Sequence, residues 1–152
     1  MKKVIVLSHC IINPFCELDE SLTKNLFAKT IKEIADRGIG ILQLPCPELS
    51  YQHLERESIT SQDERAEEYG KYCRELLKST VQNIKEYHQN GIGLIRLVGI
   101  DTSPSCSTAD SSSIMMQVLA EMLKDAGISI PAADMPHFFD GDESVFVDEL
   151  LA

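Results

Sequence analysis

No apolar run in the chain approaches the roughly 20 residues that span a bilayer. The opening stretch, residues 1–10, has too short an apolar core for a secretory leader and turns polar at once, so it reads as a first β-strand. Basic residues are scarce: 14 Lys and Arg against 24 Asp and Glu leave a formal net charge of −10. That balance excludes sequence-independent binding along a phosphate backbone, as in a nucleic-acid polymer. It leaves a small nucleobase-like ligand open. The chain also lacks an internal repeat, a low-complexity tract, an interdomain linker and any Cys-x-x-Cys pair. With no export signal, a reducing, cytoplasmic setting is expected, where the five cysteines are not a disulfide framework. What is present is ordinary for a globular protein: 43% hydrophobic and 25% charged over 152 residues. Residues 1–152 are read as one domain with a sizeable core.

Short apolar runs at residues 3–8, 39–44 and 93–98 have the length and composition of buried strands. Between them lie helical patterns. The first covers 21–37, with Leu22, Leu26, Phe27, Ile31 and Ile34 on one face and Gly38 as its stop. A second opens at Ser61-Gln62-Asp63-Glu64, which has the form of a capping box. It continues through Tyr69, Cys73, Leu76, Leu77, Val81, Ile84 and His88 to Asn90-Gly91. A third covers 109–126, packing through Ile114, Met115, Val118, Leu119 and Met122. Residues 128–130 are expected as a fourth strand before Pro131, and 143–151 as a last short helix. This alternation predicts a three-layer, Rossmann-like α/β fold, with a parallel sheet of about four strands and helices on both faces.

In such a sheet the carboxyl ends of the strands share one edge, where open α/β folds keep their sites. Cys10, Cys46 and Cys106 each lie just past one of the three runs, so their thiols are expected to meet. Cys73 falls on an apolar helix face and reads as core. Cys16, in the loop after the first strand, reads as a bystander within reach of the site. His9 adjoins Cys10 but is expected to point away from it as a lining or packed residue. Three converging thiols are one short of a closed tetrahedral metal site. They suit zinc, a redox pair with a spare, or an iron–sulfur cluster, in which three protein ligands would leave one iron open. A third helix starting just past Cys106 would turn its positive end toward an anionic group. Arg96, in a central strand, is expected in an ion pair. Asp101 is expected to cap a loop, Glu64–Glu68 to form a solvated face, and Met115, Met116 and Met122 to be core.

Three fragments, Ser8-His9-Cys10, Cys46-Pro47-Glu48 and Ser103-Pro104-Ser105-Cys106, together resemble the thiouracil desulfidase (TudS) family and its shorter relatives. The resemblance spans essentially the whole chain, and Ser-Pro-Ser-Cys is its sharpest part. It implies a [4Fe-4S] cluster held by Cys10, Cys46 and Cys106, whose fourth iron takes the sulfur of a thiolated nucleobase. It also implies Glu48 and Ser103 as the catalytic pair. Glu48 is placed to accept a proton from attacking water, and the Ser103 hydroxyl to orient that water or relay a proton. The chain departs from the longer members in Ile11 to Cys16, in Ser107 and in Ser50 to Arg56, and it lacks their second domain. These loops shape the pocket, so the ligand set carries over while the particular thiolated substrate is left open, as is any homo-oligomer. Two other functions use the same thiols: a non-enzymatic metal-binding or sensor domain, and a cluster-free thiol reductase.

Overall fold

A computed structural model describes residues 1–16, 27–136 and 143–152. Its centre is a four-stranded parallel sheet in the order β2-β1-β3-β4. The strands are β1 (Lys3–Leu7), β2 (Gly40–Gln43), β3 (Gly93–Ile100) and β4 (Ala132–Met135). Among the described residues six helices accompany them: α1 (His9–Ile12), α2 (Ala28–Asp36), α3 (Pro47–Gln52), α4 (Ala66–Gln89), α5 (Ile114–Asp125) and α6 (Ser144–Leu151). A 3-10 turn, Pro14–Cys16, follows α1.

Each face of the sheet seals its own apolar cluster. On one face Val6 and Leu97 meet α4 and α5 through Leu77, Ile84, Met115 and Leu119. On the other, Ile5, Leu7 and Val98 meet Ile34 of α2 and Val147 and Leu150 of α6. The alternation of Ile5 and Leu7 against Val6 is the two-residue period of a strand buried on both sides. The three-layer α/β architecture expected from the sequence is therefore the one observed. Cys73 lies in the first cluster, fully buried, and burial pushes its thiol up to about 12. Met115 and Met116 are buried there too, with Met122 packed against them. Among the described residues no helix is long and apolar enough to cross a membrane.

Several boundaries differ from the sequence expectation. The fourth strand is Ala132–Met135, after Pro131 rather than before it. The apolar pair Ile128 and Ile130 packs with the α4 and α5 cluster instead, so it serves the core without pairing in the sheet. Helix α4 begins at Ala66 with no side-chain cap from Ser61. Asp63 takes the Arg65 amide at 2.9 Å and its guanidinium at 2.8 Å, which holds the Asp63 carboxyl down at about 2. Helix α4 closes at Asn90-Gly91 as expected, with Gly91 at φ 70°, a conformation that favours glycine. Helix α5 starts at Ile114, not 109. Of the first helix, Leu22 and Leu26 lie outside the described residues, and the helix is described from Ala28.

Charges near α6 are handled by backbone groups. Arg96 makes no ion pair among the described residues; its guanidinium donates to the carbonyls of Glu149 (3.1 Å) and Leu150 (3.4 Å) at the end of α6, where a helix presents partial negative charge. At the other end, buried Glu143 accepts the amides of Lys29 (2.8 Å) and Thr30 (3.1 Å) and the Thr30 hydroxyl (2.8 Å). The N-terminus of α2 is thus capped by a residue far along the chain. Glu143→Ala should destabilise the fold by about 0.5–2 kcal/mol, the typical worth of a cap, read as a lower urea midpoint. An unchanged midpoint would show that water replaces the carboxylate at no cost.

Candidate active site

The chain leaves the carboxyl ends of β1 and β3 toward opposite faces of the sheet, and a crevice opens between them. This is the position at which open α/β sheets bind ligands. Strand β1 is flanked by β2 and β3, so the segments that follow all three strands come together. They line a cavity of about 120 Å³. Cys10, on α1, Cys46, just before α3, and Cys106, in the loop after β3, all reach it. So do the two residues assigned to catalysis by resemblance, Glu48 and Ser103.

Cys16 lines the same cavity, so it lies at the site and not merely within reach of it. It is buried, its thiol donates to Asn13 O at 3.3 Å, and it shares a hydrogen bond with the Cys46 thiol. That bond, together with burial, pushes the Cys46 thiol far above its ordinary range. His9 lines the cavity with its Nδ1 3.2 Å from Leu44 O, which fixes Nδ1 as the protonated nitrogen. Among the described residues, no three His, Cys, Asp or Glu side chains are grouped so as to hold a metal ion.

Glu48 sits in the first turn of α3, right after Pro47. Its side chain is 12% exposed and faces the Arg56 guanidinium, itself only 3% exposed, with Nε 3.6 Å from Oε2. Ser105 Oγ donates to Glu48 Oε1 at 3.2 Å and lies 2.8 Å from the Tyr69 hydroxyl. A serine has one hydroxyl hydrogen, so Tyr69 must be the donor to Ser105. Burial raises the Glu48 pKa; the Arg56 charge and the Ser105 hydrogen bond pull against it without cancelling it. The result is a shielded carboxylate with one oxygen oriented by a buried hydroxyl chain, a fitting environment for a general base.

Arg56, Ser105 and Tyr69 were not legible as site residues. Tyr69 sits on the apolar stripe of α4 and reads as core, although a buried phenol needs a partner for its O–H. Arg56 lies in a stretch with no periodicity, and no local signal marks it. Its remaining donors bind His53 O at 3.0 Å and Cys16 O at 2.6 Å, so one guanidinium ties the Cys16 turn to the Glu48 helix.

The geometry narrows the role of Ser103. Its Oγ accepts the amides of Ser105 (3.3 Å) and Cys106 (3.1 Å). Both lone pairs are engaged in this arrangement, which leaves the hydroxyl hydrogen to donate. The expected helix end near Cys106 also fails. Helix α5 starts eight residues later, and its Ile114 and Met116 amides are taken by Pro104 O (2.9 Å) and Ser105 O (3.0 Å). Asp101 is exposed, and it is its amide, bound to Met135 O at 2.8 Å, that ties it to β4.

The Cys106 loop folds back over β3. Ile100 N donates to Cys106 O at 2.9 Å. Asp134 of β4 accepts Ser107 Oγ (2.7 Å), Thr108 N (2.8 Å) and Thr108 Oγ1 (2.6 Å). Gly99 makes this approach possible. A Cβ there would collide with Cys106 O and sit 2.5 Å from Asp134 Oδ1.

The chain is 28% identical over 136 residues to an uncharacterized protein, MJ0003, of Methanocaldococcus jannaschii, covering 89% of this chain and 86% of that protein. No family model matches the chain, and no solved structure matches it.

Gly99→Ala should therefore push the loop off β3. The expected cost is about 1–3 kcal/mol, the usual scale of overpacking, measured by urea denaturation. Cys106 should also become more accessible to a thiol reagent under native conditions. Wild-type stability together with wild-type labelling would show that the loop relaxes around the added methyl.

Proposed function

We propose that this chain is a [4Fe-4S]-dependent desulfidase that replaces the sulfur of a small thioamide, such as a thiolated nucleobase, with oxygen from water. One observation carries the reading: Cys10, Cys46 and Cys106 line a single cavity together with Glu48 and Ser103. The donor set fits the group, because thiolates are the ligands of such clusters. The cavity, about 120 Å³, approaches the roughly 150 Å³ that accepts a benzene ring, the scale of a flat heterocycle. Five thiols and an oxygen-sensitive cofactor suit a reducing, cytoplasmic compartment.

When bound, the cluster supplies a soft Lewis acid for the substrate's sulfur at the iron that no motif cysteine holds. The rest is done by the chain. Pro47, Pro104 and Ile100 give the cavity apolar walls, which hold a flat ligand and limit bulk water. Glu48 takes the proton that water loses as it attacks the carbon of the C=S group. Ser105 and Tyr69 fix the orientation of the carboxylate, and Arg56 keeps its ionised form accessible despite burial. The Ser103 O–H donates to the incoming water or to a heteroatom of the substrate. The balance is one thiocarbonyl and one water giving one carbonyl and hydrogen sulfide, with no net electron transfer.

Anaerobic reconstitution should yield about four iron and four sulfide per chain. Cys10→Ala, Cys46→Ala and Cys106→Ala should each lose the cluster, while Cys73→Ala keeps it. Zinc, or no metal, would sink the proposal and return the thiols to a sensor domain or a thiol reductase.

At matched iron content, Glu48→Gln should release uracil from 2-thiouracil about 10²–10⁴-fold more slowly, the usual worth of a general base. Ser103→Ala should lose less, because water can take the place of its hydroxyl. Near-normal turnover by Glu48→Gln would remove the carboxylate from the reaction.

A further inference from the structure

His9 belongs to the Ser8-His9-Cys10 fragment, yet the functional reading gives its side chain no task. The structure holds that side chain in one place. Its Nδ1 donates to Leu44 O at 3.2 Å, and the His9 carbonyl accepts Gln43 Nε2 at 3.0 Å. Gln43 ends β2 and Leu44 follows it, so both bonds tie His9 to the end of one strand. The residue is half-buried and lines the cavity that Cys46 and Glu48 also reach. With the hydrogen on Nδ1, the neutral imidazole keeps a lone pair on Nε2. Among the described residues no group donates to that nitrogen. It is open rather than enclosed, because the one enclosed side-chain atom without a partner is Arg56 Nε. Anchoring alone would need a single donor, which an asparagine amide supplies as well. The imidazole therefore brings a second, unused acceptor to the site.

We infer that His9 reads the ligand, its Nε2 accepting a ring N–H. The ligand class is then a cyclic secondary thioamide, with N–H beside C=S, rather than a fully N-alkylated one. A hydrogen bond taken from that N–H moves electron density of the N–C=S unit toward sulfur, which strengthens sulfur as a soft ligand. No proton leaves the nitrogen in doing so. The Leu44 and Gln43 bonds fix the acceptor before a ligand arrives, so little ordering is left for the binding step. A site built to pair a ligand N–H rejects an analogue that lacks it, because its acceptor is then left unpaired. The sulfur in this description rests on the functional reading above, whereas the N–H and its acceptor do not.

The test uses the full chain after anaerobic reconstitution, titrated in a calorimeter with uracil and with 1,3-dimethyluracil. The wild type should prefer uracil. His9→Asn keeps a donor for Leu44 O and should reduce that preference about 5–100-fold, the cost of leaving a polar group unpaired. Its iron content and urea midpoint should match the wild type. His9→Gln, whose longer amide reaches the place of Nε2, should keep part of the preference. A wild-type preference in His9→Asn would overturn the inference, as would a wild type that does not favour uracil. Loss of iron in His9→Asn would make His9 a cluster ligand and also overturn it. Equal loss in both variants with a lowered urea midpoint would show an anchoring role and do the same. Calorimetry needs no turnover, so the two readings fail separately. If His9 sets the preference but 2-thiouracil is never converted, the functional reading falls and the inference stands. If 2-thiouracil is converted and His9→Asn discriminates like the wild type, the inference falls alone.

Discussion

The carboxylate of Asp134 is the constraint on which the candidate site depends. It stands on the edge strand opposite Gly99 in the register of β3 and β4. There it collects two hydroxyls and an amide from Ser107 and Thr108. Charge-assisted hydrogen bonds are about twice as strong as neutral ones, and here they hold the segment that carries Ser103, Ser105 and Cys106. The same segment supplies the carbonyls that receive the first amides of α5. One edge carboxylate therefore fixes a loop, the start of a helix and one wall of the cavity. Strands β1 and β2 bring Cys10 and Cys46 to the same place through backbone pairing alone.

The second element of the site is polar and buried. Tyr69, Ser105, Glu48 and Arg56 run from the apolar cluster under α4 to the cavity wall. Burying such groups costs free energy unless each finds a partner. Tyr69, Ser105 and Glu48 do, and the one buried side-chain atom with no hydrogen bond among the described residues is Arg56 Nε. It lies beside Glu48, so the cost falls at the cavity rather than in the core. The ring contacts of Tyr51 with Tyr69 (5.3 Å) and Tyr72 (5.0 Å) keep the phenol end of the chain from shifting.

How much of this was legible depends on how local the signal is. Strands β1, β2 and β3 announce themselves by apolar runs, and their parallel pairing follows from the helices between them. That is why the meeting of Cys10, Cys46 and Cys106 at one edge could be read at all. Strand β4, Ala-Ala-Asp-Met, has no such composition. It is a strand because β3 pairs with it, a tertiary effect that outranks propensity. Ile128 and Ile130 look more like a strand and instead fill the space under α5. The Ser61 capping pattern lost to Asp63, whose partner Arg65 is two residues away. Arg96 was expected to seek a carboxylate and found helix carbonyls instead, which serve a guanidinium equally well. Arg56 and the engaged lone pairs of Ser103 depend on contacts that no spacing rule encodes.

The cap on α2 bears on the order in which the chain is completed. The group that satisfies the start of α2 lies 113 residues away in the chain, counted from Thr30. Vectorial synthesis exposes α2 long before Glu143 exists, so its first amides must bind water during that interval. Contacts of such long sequence separation form late and slowly. The face of β1 and β3 that α2 and α6 cover must stay partly open until the segment from residue 143 arrives. That face needs both β1 and β3, so it exists only once residue 100 has been made and then stays unsealed until α6 follows.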